Sequence, residues 1–530
     1  MRTFPCVVLL FVAAQSGCDS SPAAAGDAGA DAPEAGGPNA SVLQYHNSAS
    51  RSGLYTDPAL THSAVAGTTL DPSFTATVSG NTYAQPLFLD GQGAGKDLVF
   101  VATEQNQVTA FDASNGAVVW QKTLGTPVDV ATLVSSGQVE STCGTVKPTL
   151  GITGTGIIDP ASRTLYLDAM INMATTPTYV VRHFIFALSV DDGTTKNGWP
   201  FDLSTIASPY SFNSARAIQR GGLALVSGTL YVPFGSHADC LAPHGWVVAV
   251  PTANPTAATA WATRSPAGGG GIWAPGGVTS DGTSLYVSTS YFDSPTPPAQ
   301  WTDADCLGVL RLDPGPSFSG AATDYWAPTD WTQAGDPASS APVPFELPGA
   351  TPSQLLLAFD RLSGAVTILD RANLGGVGAG LVSKRVGLGG NGGGDILTAP
   401  AVYTTPQGTY AVFNGASADC GGDLTALKIT AGSPPTVSTA WCTNIHGHGF
   451  PIVSTTDGTN DAVVWAVGTE ESDGTMGDNK LHALDGDTGQ ALFTSPAISP
   501  TERYITPIVA KGHVLVGGKT QLYSFAVPAN

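Results

Sequence analysis

Apolar and polar residues alternate over runs of five to seven positions through most of the chain, the period of a strand with one buried face. One phrase recurs: an apolar strand, a small turn, a second strand ending in Ala-hydrophobic-Asp, then a glycine turn. It stands at 97–120 (DLVFVATEQNQVTAFDASNGAVVW), 182–201, 355–376 and 479–493, more weakly at 235–250 and 419–430, and the chain closes on a strand pair at 513–527. The Asp-x-x-x-Gly spacing after the strand is clearest at Asp112 with Gly116 and Asp485 with Gly489. It predicts a turn in which the carboxylate caps backbone amides and the glycine takes positive φ.

Ahead of the copies lies a different strand, rich in small residues or proline, at 83–87, 151–159, 269–275, 397–401 and 504–509. Small residues suit the innermost strand of a propeller blade, which lines a crowded axis. Units begin near 83, 151, 217, 270, 343, 395, 449 and 503, about 56 residues apart. The expected fold is all-β, a single β-propeller of eight blades, with seven as the alternative count. The last unit is one strand short, and 73–79 (SFTATVS) is placed to supply its outer strand and latch the ring. Closure of that kind leaves no free sheet edge.

Composition agrees with this pattern and removes several functions. Gly 64 and Pro 39 with only 12% charged residues argue against helical bundles. The net charge of −20 leaves no basic footprint for nucleic acid. An aromatic share of 8% and a mean hydropathy of +0.09 exclude disorder of the whole chain.

The first forty residues predict an address. Met1-Arg2-Thr3 precedes an apolar run at 4–14, too short to span a bilayer but fit for an export signal. Gln15-Ser16-Gly17-Cys18 resembles a lipobox, which makes Cys18 the lipid attachment site, although Gln15 replaces the usual aliphatic residue; the alternative is an ordinary secretory signal. The expected division is a signal at 1–17, an Ala/Gly/Pro/Asp-rich tether at 18–40 and the propeller at 41–530. The chain is then exported and held in the cell envelope by the lipid, or secreted. Beyond Cys18 stand Cys143, Cys240, Cys306, Cys420 and Cys442, an odd number, of which Cys420 and Cys442 are the easiest pair to place.

The repeated phrase resembles the PQQ-like, or quinoprotein-type, β-propeller repeat. The body is also similar to exported bacterial PQQ-repeat proteins over 46–55 (HNSASRSGLY), 83–87, 99–113, 151–160, 234–247, 270–277, 324–328 and 368–376. For the dehydrogenases of this fold the resemblance implies PQQ stacked over a Trp, with calcium held by Glu, Asn and Asp. This chain has no Cys-Cys pair, and that residue set does not map onto it. Trp273, on an inner strand, is either a stacking platform or a packing plug.

Other candidates follow from spacing. His237, Asp239 and His244, with Arg220 and Trp273, are candidates for a polar mouth on one face that takes a ligand, or a metal on the histidines; the alternative reading is a Gly/Pro-rich loop in which His and Asp satisfy their own backbone groups. His446 and His448, at alternate positions of an extended segment, are candidate metal ligands. Asp191-Asp192, Asp303 with Asp305, and Glu470-Glu471 with Asp473 and Asp478 read as solvated turn acids, and Arg182-His183 as a solvent face. No GxSxG, HExxH or P-loop occurs. The expectation is a monomeric, non-catalytic binding or assembly scaffold without a cofactor, presenting loops or blade edges to an envelope protein or small molecule, with membrane contact only through the anchor. The alternative is a PQQ- and calcium-dependent dehydrogenase acting on an alcohol or sugar.

Overall fold

Short runs of β-branched and aromatic residues, each ended by an Asp or Gly turn, make hairpins, and eight sets of hairpins pack around one axis. The computed structural model describes residues 40–91, 95–140, 146–173, 179–206, 210–237, 244–292, 298–332, 336–361, 363–387, 396, 398–470 and 477–528. The innermost strands of blades 1 to 8 are Leu87–Leu89, Ile157–Asp159, Ala224–Val226, Thr279–Ser280, Val343–Glu346, Ala401–Thr405, Ile452–Thr455 and Ile508–Ala510. Each opens an antiparallel sheet; blade 1 continues outward through Leu98–Ala102, Gln107–Asp112 and Val118–Thr123. The chain is therefore an eight-bladed β-propeller. Among the described residues no helix is long and apolar enough to cross a membrane.

Blade 8 supplies only three strands of its own, and the N-terminal segment completes it. Thr69–Leu70 and Ala76–Thr77 pair antiparallel with its last strand, Gln521–Ala526, in the registers Thr69–Ala526 and Ala76–Leu522. The segment expected to latch the ring does so.

Adjacent blades are joined by outer-strand tryptophans. Trp120 of blade 1 donates its indole N–H to Val190 O of blade 2 at 2.8 Å, and Trp441 of blade 6 donates to Gly486 O of blade 7 at 2.9 Å. Each ring lies on a turn glycine of the next blade, Gly193 and Gly489, both at φ 71°. A Cβ added at Gly489 would stand 2.7 Å from the indole. Apolar side chains between facing sheets fill the rest, as in the cluster of Phe88, Val99 and Phe111 with Trp465, Val514 and Phe525, which spans blades 1, 7 and 8.

The axis itself is filled by chain. Residues 42–57 enter antiparallel to the inner strands and leave parallel to them. Val42 exchanges two backbone hydrogen bonds with Phe88 of blade 1, and Leu54–Thr56 adds a parallel strand inside Ile452–Thr455 of blade 7. Between them Ile158 donates to Leu43 O, Ser280 to Ala49 O, Val402 to Ser52 O and Val453 to Gly53 O, tying blades 2, 4, 6 and 7 to the same segment.

Arg51 holds this plug together. It is 1% exposed at φ 62°, and its guanidinium donates to the carbonyls of Tyr45, Ser48, Leu223, Gly276 and Val278 and to Gln44 Oε1. Burial pushes it down to about 10.

Candidate functional site

The plug turns at Tyr45 and His46, and this turn floors a narrow pocket of about 10 Å³, room for about one water molecule, on the face where the inner strands begin. Tyr45, Tyr83, Thr153, Thr155, Arg220, Pro275, Arg503 and Tyr504 line it. Sequence position explains the convergence. Thr153, Tyr83, Arg220, Pro275 and Tyr504 each stand four residues before the inner strand of their blade, so the ring's symmetry aims them at one point. His448 holds the same place in blade 7.

The pocket is cationic within an acidic chain. The Arg220 guanidinium lies 4.8 Å from the centre of the Tyr504 ring, with Arg503 at 5.9 Å from the same ring. Among the described residues no carboxylate forms an ion pair with Arg220, and burial lowers its affinity for a proton. Tyr45 hydrogen-bonds Thr506 Oγ1 at 3.0 Å and stacks flat on His46, whose ring is buried, neutral and pushed down to about 3 by desolvation.

Two acids stand behind the wall. Glu104, 1% exposed, accepts from Gly151 N at 2.6 Å and from the Thr153 hydroxyl, while its Oε1 has no hydrogen-bond partner. Burial, with the Glu502 charge nearby, raises its carboxyl to about 7, against the pull of Arg220. Glu502 is 3.4 Å from Lys519 and bonds the Tyr83 hydroxyl; burial first, then the Glu502 charge and that hydrogen bond, raise the phenol above its ordinary value.

The residues expected to share one mouth divide. Arg220 lines the pocket, and Trp273 packs at its edge against Tyr45, Phe450 and Tyr504 as part of the filling, its indole N–H buried without a partner. His237 is turned into the blade 2–blade 3 side, 4% exposed and lowered to about 4 by burial and by the nearby His183. His244 stacks on Tyr210 at 3.7 Å and bonds Thr263 O through Nδ1 at 2.7 Å. Asp239 lies outside the described residues, as do Cys18, Cys143 and Cys240.

Three further expectations are corrected. His183 is not on a solvent face: it is 1% exposed and hydrogen-bonded through Nδ1 to the buried Asp168 carboxyl at 2.7 Å, because its strand is covered on that side by Phe212 and Phe234. Asp305 is not a solvated turn acid but fully buried against Arg264 at 2.6 Å. His446 and His448 do not share one side of an extended strand, since His446 adopts φ 54° and the chain bends through Gly447. Cys420 and Cys442 form a disulfide with Cα atoms 5.8 Å apart, and Cys306 is a buried free thiol.

Sequence reading did not single out Tyr45, Tyr83, Glu104, Glu502, Arg503 or Tyr504. The fixed offset before each inner strand was the available signal.

A family described as Outer membrane protein assembly factor BamB has a model that matches residues 70–149, the closing strand and blade 1. The chain carries the PQQ-like propeller repeat. Among solved structures, this propeller is similar to a europium-containing methanol dehydrogenase, with TM-score 0.60 and 14% identity over 92% of this chain and 98% of that one. It is similar also to the quinohemoprotein alcohol dehydrogenase ADHIIG of Pseudomonas putida HK5 (0.59, 13%, 93% and 81%) and to that of Comamonas testosteroni (0.58, 14%, 93% and 81%). At these identities the likeness is one of fold. No curated protein matches the chain in sequence.

No three of His, Cys, Asp and Glu among the described residues stand close enough to hold a metal. Glu104, the acid nearest the pocket, is held towards its neutral form, and Trp273 is packed into the wall.

Proposed function

We propose that this PQQ-like propeller is a non-catalytic binding or assembly scaffold of the cell envelope, lipid-anchored at Cys18 through the tether at 18–40. The observation that carries the reading is the filled axis. Residues 42–57 occupy the space in which an enzyme of this fold would need an open polar cup, and Arg51 stitches them to blades 3 and 4. A rigid ring closed by its own N-terminal strands, with loops on both faces, suits attachment of a partner. The match of residues 70–149 to an assembly-factor family supports the same reading.

Calorimetric titration of the purified body (41–530) with PQQ and calcium, followed by a dye-coupled screen of alcohols and sugars, tests it. The expected result is neither saturable heat nor turnover. Saturable binding with turnover would replace the scaffold by the dehydrogenase reading. Globomycin-sensitive labelling of the full chain with a radioactive fatty acid, abolished in Cys18→Ser, tests the anchor; an unlabelled, secreted protein would remove it.

A further inference from the structure

We propose that the seam where the ring closes, between blades 8 and 1, is a pH-sensitive joint with Glu104 as its switch. Protonated, Glu104 keeps the seam shut; ionised, it takes in water and loosens the loops at 81–86 and 499–506. The inference rests on the groups at the seam and not on the scaffold reading.

Three observations carry it. First, on the face where the inner strands begin, the seam is tied by side chains. The Thr82 hydroxyl donates to Gly518 O at 2.8 Å, and the Tyr83 hydroxyl bonds Glu502, so the entry to blade 1 reaches blade 8. Asn81 O accepts from the amide of Glu104, which joins that entry to the turn carrying the switch.

Second, two acids from opposite sides of the seam share one buried region. Glu104 is 1% exposed; it accepts from Gly151 N at 2.6 Å, and its Oε1 is buried without a hydrogen-bond partner. Glu502, on the loop entering blade 8, is also buried, and its charge acts on Glu104. Lys519 stands 3.4 Å from Glu502 and 3.8 Å from Glu470. Arg220 and Arg503 lie against the Tyr504 ring, and Arg220 favours the ionised form of Glu104. Burial outweighs that pull and, with Glu502, holds the proton on Glu104 up to about 7.

Third, the closed seam has no room to hydrate a new charge. The space beside Tyr83, Thr153 and Tyr504 is about 10 Å³, enough for about one water. An ionised carboxylate kept from water is costly, and a single water does not replace its hydration. Parting Tyr83 from Tyr504 relieves both the desolvation and the repulsion from Glu502. The sign follows from linkage. A closed seam binds the proton up to about 7, an opened and hydrated carboxyl only to roughly 4.5. Opening therefore becomes easier as pH rises between those values and levels off above them.

The test is hydrogen exchange of the full-length protein from about pH 5 to about pH 8, corrected for intrinsic amide rates. It is read at Gln85, Glu104 and Thr501, whose N–H groups bond Thr155 Oγ1, Asn81 O and Asn479 Oδ1. The wild type should open at least ~10-fold more readily at about pH 7 than at about pH 5, with little change above. Glu104→Gln should show no such rise, and Glu502→Gln, which removes the facing charge, a smaller one. The inner strand Val343–Glu346 of blade 5 and the plug at 42–57 should stay protected throughout. If Glu104→Gln does not fold, the smaller rise in Glu502→Gln decides. No rise in the wild type, an undiminished rise in the folded variants, or an equal rise at Val343–Glu346 would overturn the proposal. The last result would mean that Glu104 acts on global stability alone.

Discussion

Arg51 and Glu104 show how much single side chains decide here. Arg51 satisfies six acceptors that belong to the plug and to blades 3 and 4, all of them uncharged. Arg51→Leu removes the guanidinium, leaves a gap and strands those acceptors in the channel, so it should cost at least about 3 kcal/mol in urea unfolding. A loss within the range of a surface substitution would deny Arg51 that part. Glu104 makes the opposite kind of statement. Its carboxyl sits at about 7 in the fold, facing Glu502, Arg220 and Tyr83, against roughly 4.5 in the unfolded chain. Between those values the folded state keeps a proton that the unfolded state has released, so stability falls as pH rises from about 4.5 to about 7. Glu104→Gln lacks that loss. It should be the more stable protein above neutral pH, by on the order of 3 kcal/mol at most, with the gap closing towards pH 5. A gap independent of pH would contradict the assignment. His46 and His237 pull the other way: both are buried and neutral, and both lose stability as pH falls below about 6.5. These environments were not legible in sequence, because each is completed by distant segments: Thr153 and Glu502 at Glu104, His183 at His237, Leu223 and Gly276 at Arg51.

Turns and strands were far more legible, because their causes are local. Asp485 accepts from the amides of Asp487 and Thr488, and Gly489 at φ 71° closes the turn, as the Asp-x-x-x-Gly spacing requires. The second duty of that glycine was not legible. Trp441 of the preceding blade lies on it, so the turn is also a joint between blades. Gly489→Ala therefore meets both an unfavourable backbone region and the indole. It should lower stability by about 2 kcal/mol or more, read as a drop in Tm. An unchanged Tm would mean that the joint carries no load. Gly116 has the same conformation in blade 1, but there the closing strand at Thr75 and Ala76 takes the place of a tryptophan. His183 misled for the converse reason: strand alternation tells which side a residue faces, not whether a neighbouring blade covers that side.

At the scale of the whole molecule, periodicity gave the blade number and the latch, since eight units repeat and the last is visibly short. The filled axis escaped it. Residues 46–55 are polar and aperiodic, and their partners are inner-strand edges from blades spread across the chain. Yet this segment bears most on the proposed scaffold reading, which rests on the axis being filled. Hydrogen exchange at the amides of 42–57 tests that claim most directly. The account predicts protection as strong as that of the inner strands of blades 1 and 7, lost only on global unfolding. Exchange of these amides within seconds, while the blades stay protected, would show an open channel and contradict it.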